Sequence, residues 1–204
     1  SIPGFAESMI SKFVNASTFE GYNPYRITRD GIDWETLNPD DPWSSIGYWG
    51  DHQIIYLLKL LEFSSNHHPE RLKEFLTLDI FCYANVPYKI RPYSELLKDP
   101  FNTIDFDYDL ETLIQNRVKY AGSDGRLVWN DQKKVYQVNL AEKLIVTMLG
   151  KLCNFIPGGG IWMNTQRPEW NDANNALVGN GISAVTLYYM LSLIHISEPT
   201  RPFH

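Results

Sequence analysis

The sequence predicts a mainly α fold, built from helical hairpins with long aromatic loops and one short β-hairpin. Three observations predict it. Apolar residues recur at helical spacing in successive segments, and turn-forming residues separate those segments. The connections alternate in length: "NHHPE" is a short turn, whereas 20–50 is a long stretch holding three Trp and three Tyr. That alternation fits a toroid of helical hairpins, with short turns on one face and long loops on the other, and equally fits a globular bundle with decorated loops.

The elements follow in order. Residues 7–14 form a short amphipathic helix. The stretch 20–50 is loop, and its ring content argues against disorder. Asp51 is placed to cap a helix whose Ile54, Ile55, Leu57, Leu58, Leu60 and Leu61 make it apolar nearly all round, hence deeply buried. Pro69 starts the next helix, over 70–84. Residues 85–106, broken by Pro87, Pro92 and Pro100, read as irregular. A helix spans 108–120, with acids in its first turn and Gly122 closing it. "RLVWNDQKKVYQV" reads as the short hairpin. Asn139 and Glu142 form a capping pattern before a helix over 140–153. Residues 154–170 are loop, and the last helix starts near Gly181 or Ser183.

The 204 residues suffice for one domain with a real core, and 44% hydrophobic content excludes a disordered composition. The formal charge of −6 and the lack of a basic patch argue against a nucleic-acid partner. No apolar run approaches the ~18 residues of a membrane span, so no membrane partner is expected. Cys82 and Cys153 lie in apolar helical patterns and read as small buried hydrophobes, too few for a disulfide framework. Compartment stays open, with the cytoplasm slightly favoured, and oligomeric state is unknown. Aromatics make up 14% of the chain, which suits either a large core or surfaces that stack on sugar rings.

The densest candidate for chemistry is "RPEWNDANNALVGNG", 167–181. Asp172 lies two residues from Trp170. An indole ring that displaces water disfavours the carboxylate and raises its pKa, as a general acid for glycosidic bond cleavage requires. Asn171 and Asn175 can fix the loop or a sugar hydroxyl, and Glu169 is a possible second carboxylate. The same residues also suit an ordinary Asx-turn with capping roles.

"WNDANNALVGNGISAV" resembles the catalytic turn of the six-hairpin glycoside hydrolase and phosphorylase superfamily, notably the cellobiose-phosphorylase type. Trp170, Asn171, Asp172, Asn175, Gly179, Gly181 and Ser183 match that motif. Ala173 stands where the family has Gly, Pro168-Glu169 replaces small residues, and the spacer differs in length. Upstream, "IGYWGDHQIIYLLKLL" is similar to the family segment that opens a barrel helix and lines the sugar subsite beside the bond. Asp51 and Gln53 match in type. Gly50 replaces an Arg, and Trp49 and His52 are placed to supply stacking and a polar contact instead. The resemblance implies a partial (α/α)6 toroid in which Asp172 is the general acid of an inverting cleavage, by hydrolysis or phosphorolysis. The substrate is then an oligosaccharide or other glycoside. No cofactor is implied, although inorganic phosphate is the co-substrate of a phosphorylase. The missing Arg leans the chemistry towards hydrolysis. The alternative is a non-catalytic glycan-binding or scaffold protein on the same toroid.

Elsewhere, Asp33 beside Trp34 is the most site-like pair in the long loop. Arg167 and Lys89 read as solvated cations that could also balance carboxylates. "DFDYDLE", 105–111, lacks the spacing of a calcium loop and reads as acids at a helix N-terminus. His67-His68 reads as a turn, so no metal is expected. "LSLIHISEPTR", 191–201, resembles a translated sequencing adapter. Residues 191–204 are therefore expected to be a non-native tail, and 1–190 a fragment of a single catalytic toroid domain.

Overall fold

The computed structural model describes residues 4–21, 26–28, 31–33, 51–99, 102, 104–163 and 180–197. Among these the fold is mainly helical, with several short antiparallel strand pairs. Helix α1 (Phe5–Asn15) buries Ala6, Ile10 and Val14 on one face. After β1 (Arg26–Thr28) and β2 (Gly31–Asp33), which pair with each other, comes α2 (Asp51–His67). Ile54, Leu57, Leu58 and Leu61 of α2 are buried at the i, i+3, i+4, i+7 spacing of one helix face, whereas Tyr56 and Phe63 are exposed. The helix is therefore buried on one side and not all round. Helices α1 and α2 run antiparallel: Glu7 meets Ser64, and Phe13 meets Tyr56 further along α1 and further back along α2.

Helix α3 (Pro69–Thr77) starts at its proline, whose missing N–H is no loss in a first turn. It stops seven residues before the expected 84. Leu78 is already extended, and β3 (Phe81–Cys82) pairs with a later strand. The aromatic and β-branched content of Ile80–Tyr83 suits that strand, and Phe81 reaches the core edge-on to Phe75, with ring centroids 5.2 Å apart.

The segment expected to be irregular holds β4 (Tyr88–Ile90), a one-turn α4 (Tyr93–Leu96) and β5 (Ile104–Phe106), with β4 and β5 paired. Helix α5 (Tyr108–Ala121) ends at Gly122, whose φ of 62° is left-handed. Residues 126–138 do turn back, with a Trp129–Val135 bridge and both Gln132 and Lys134 N–H donating to Asn130 Oδ1. Their arms pair outward, however: Leu127 bridges Ala84, and β6 (Gln137–Val138) pairs with β3. The expectation of one β-hairpin is thus corrected to several strand pairs among the described residues.

Helix α6 (Leu140–Leu152) starts where the capping pattern placed it, with Glu142 N–H donating to Asn139 Oδ1 at 3.0 Å. Asn139→Ala should cost about 1 kcal/mol in a denaturant titration. Residues expected to be loop form β7 (Phe155–Ile156) and β8 (Gly160–Trp162). Their turn has Pro157 followed by Gly158 at φ 76°, and Gly159 N–H donates to Ile156 O. Those are the residues a type II turn requires. Strand β9 (Ile182–Ser183) adds to β8, and α7 (Ala184–Ser197) follows. Helix α7 continues without a break into 191–197, the start of the expected foreign tail, and buries Met190 and Leu193. The core joins α1, α2, α3, α6, α7 and β8. No closed ring of hairpins is evident among the described residues, and no described helix is long and apolar enough to cross a membrane.

Candidate functional site

Asp172, Glu169, Trp170, Asn171, Asn175 and Arg167 lie outside the described residues, as do Trp34 and Trp49. The frame on either side of 164–179 is described. β8 and β9 pair antiparallel, Ile161 with Ser183 and Trp162 with Ile182, and Met163 N–H donates to Gly181 O at 3.0 Å. The segment that carries Asp172 thus leaves and re-enters a single ladder, which fixes both its ends side by side. A Cβ on Gly160 would stand 2.7 Å from Ser183 O, so only glycine lets the two strands approach this closely. Trp162 is buried there, edge-on to Tyr93 at 5.6 Å. Ser183 then caps α7: its Oγ accepts from Thr186 N–H at 3.1 Å.

Asp51, His52 and Gln53 form the first turn of α2, and Asp33 ends β2 opposite Arg26; for these four the backbone is described. Asp51 is the first helical residue rather than the residue before the helix, a one-position difference within the fraying of helix ends. Helices α2 and α7 pack together, with Lys59 Nζ 5.9 Å from the Tyr189 ring centroid. Both segments singled out in the sequence therefore open helices of one packed pair.

Other candidates take structural roles. Asp107 Oδ1 accepts from Leu110 N–H at 2.9 Å and caps α5. Lys89, Asp105, Phe106, Tyr108 and Asp109 line an open groove of about 630 Å³ beside that cap. No group of three metal-ligating side chains occurs among the described residues. The cysteines are not buried in helices: Cys153 is exposed just after α6, and Cys82 is half-buried in β3.

Two buried polar clusters had no local signal in the sequence. Glu7 is buried on α1. Ser64 Oγ donates to its carboxylate at 2.8 Å, and His68 Nδ1 lies 3.5 Å away. Burial pushes the Glu7 carboxyl up. Its own backbone N–H, Ser64, His68 and Arg71 more than reverse this, and the net shift is downward. A lowered carboxyl contributes stability at pH above its ordinary value of 4.5, and that stability is lost as pH falls through the lowered value. Glu7→Gln should cost about 1–3 kcal/mol near neutrality and flatten this acid limb in pH-dependent denaturation.

The second cluster centres on Lys143, which is 0% exposed. Its Nζ donates to Cys82 O at 2.7 Å and Ser17 O at 3.4 Å, and lies 3.4 Å from the Tyr83 ring centroid. The neighbouring Glu142 does not pair with it; Glu142 Oε1 accepts from Tyr83 OH at 3.0 Å. Burial drives the Lys143 amine down to about 6, with Cys82 and Glu142 pulling it back up. The ring face favours the ammonium by about 2 kcal/mol, whereas stripping an ion of water costs several, so burial wins. Burial pushes the Tyr83 phenol up, aided by Glu142, and pushes the Cys82 thiol up against the pull of Lys143.

No family model matches the chain, and no curated protein matches it.

Proposed function

We propose that the chain belongs to a carbohydrate-active enzyme that cleaves a glycosidic bond with inversion, with Asp172 as the general acid. The observation that carries the reading is the Trp170-Asn171-Asp172 run on a segment held between paired strands, followed directly by Gly181 and the Ser183 cap of α7. A segment pinned at both ends to a ladder suits a group that must meet one substrate atom repeatedly. Helix α2, opening with Asp51-His52-Gln53 and packed on α7, supports a neighbouring sugar subsite, with Trp49 as its stacking ring.

The proposed architecture is a partial (α/α)6 toroid. The antiparallel α1–α2 pair supports it, as do apolar residues left exposed at Ile145, Leu149 and Leu152 on α6 and at Val185 and Tyr188 on α7. In a toroid each hairpin packs on neighbours at both sides, and such residues line the faces it uses.

In the mechanism, Asp172 gives its proton to the glycosidic oxygen as the bond to the anomeric carbon breaks. The oxocarbenium-like sugar is trapped from the opposite face by phosphate, or by water that a second carboxylate deprotonates. Glu169 is the candidate base within the motif. The loss of the family's Arg at Gly50 favours water.

The test is product analysis by NMR with the full-length protein and β- and α-linked disaccharides, with and without inorganic phosphate. The expected result is a reducing sugar of inverted anomeric configuration, formed without phosphate. A sugar 1-phosphate formed only with phosphate would assign phosphorolysis. Glycan binding without turnover would replace the enzyme with a glycan-binding protein.

A further inference from the structure

We propose that Lys143 is a proton-controlled latch: uncharged, its buried amine ties the turn at 17–21 and strand β3 to helix α6, and taking up a proton releases them. The proposal does not depend on the glycosidase reading. Three separate pieces of chain converge on this one nitrogen. Ser17 O comes from the turn after α1, Cys82 O from β3 and the Tyr83 ring from the residue just after it, and Lys143 itself from α6. A neutral amine has two N–H donors, and the two carbonyls accept both.

The tie is structurally consequential because Ser17 O also accepts from Ala84 N–H at 3.0 Å, so it joins the chain just after β3 to α6 at a single acceptor. Next to it Cys82 N–H donates to Asn15 Oδ1, and Phe19 stacks on Tyr83 at 4.3 Å. At its other end the turn is pressed onto α6: a Cβ on Gly21 would lie 2.5 Å from Val146 O, and one on Gly150 would lie 2.6 Å from Glu20 O. Lys143 itself is fully buried, so a charge there reaches bulk water only if the turn lifts.

The ionisable groups around the amine offset that charge only in part, and burial outweighs them. The Cys82 thiol on β3 and the Tyr83 phenol next to it are both held in their neutral forms by burial. On α6, Glu142 is engaged by Tyr83 OH. Tyr136 stacks beyond Tyr83, Asp124 acts on Cys82, and Glu20 on the turn stands exposed. Among the described residues no carboxylate forms an ion pair with Lys143 itself. The open state, with its amine in water, takes up a proton up to the ordinary lysine value of 10.5, and the closed state only near 6. The closed form is thus favoured as pH rises between those values.

Amide hydrogen exchange of the full chain, followed at Cys82 and Ala84 and corrected for intrinsic rates, tests this. Across pH 6–9 the opening constant should rise roughly tenfold for each unit of acidification, the slope of one linked proton. Lys143→Met should remove that slope, and Lys143→Arg, charged throughout, should leave both amides weakly protected at every pH. A wild-type opening constant independent of pH, or an unchanged slope in Lys143→Met, overturns the proposal. If neither variant folds, the side-chain 13C titration of Lys143 in the wild-type chain decides. A midpoint near or below neutrality supports the latch, and one in the ordinary lysine range refutes it.

Discussion

Replacing Asp172 with Asn should lower kcat by about 10²–10⁴-fold on a glycoside with a poor leaving group, the usual contribution of a positioned proton donor. The amide keeps the size and most of the hydrogen bonding of the carboxyl but has no proton of suitable acidity to give. Substrate binding should change little, because the interaction removed is made in the transition state. KM should therefore stay within a few-fold of wild type while kcat falls, the pattern expected when ground-state contacts survive. Full retention of kcat would remove Asp172 from the chemistry. A loss confined to KM would make it a binding residue.

The second large effect concerns the frame that holds the motif. Ile161 is fully buried in the middle strand of β7–β8–β9, opposite Ser183 on one side and Phe155 on the other. Truncation to Ala leaves a cavity where the sheet meets the core and should cost about 2–5 kcal/mol. Ile156 on β7 is 42% exposed, and the same truncation there should cost far less. Denaturant midpoints of the two variants give the comparison. Equal losses would mean that the sheet does not seat on the core through β8.

Where local chemistry and periodicity agree, the fold is readable from the sequence. Pro69, Asn139, Asp107 and Gly122 mark helix ends that the structure places within a residue or so, because each satisfies or spares backbone groups of its own turn. Leu78–Tyr83 is different. Its apolar run satisfies both helical and strand spacing, and pairing with Gln137 and Val138, far along the chain, settles the matter. The same holds for β7–β8, where Pro157-Gly158 is a clear turn signal inside a glycine-rich stretch that reads as loop. Local sequence does not announce such partnerships.

The candidate site divides in the same way. The acid and its neighbours stand out because Trp, Asn and Asp crowd one short segment. The ladder that pins the segment follows from Ile161 meeting Ser183 and is not legible locally. Lys143 is the plainest case. A helical lysine ordinarily reads as solvated, and its burial depends on Ser17 and Cys82, both remote in sequence.

The general-acid claim is tested most directly by assaying Asp172→Asn on two substrates of the same sugar, one with a sugar leaving group and one a glycosyl fluoride. Fluoride departs without needing a proton from the enzyme's acid. If Asp172 is the general acid, the variant loses about 10²–10⁴-fold on the first substrate and keeps near-wild-type turnover on the fluoride. Equal losses on both substrates, or no loss on either, would contradict it.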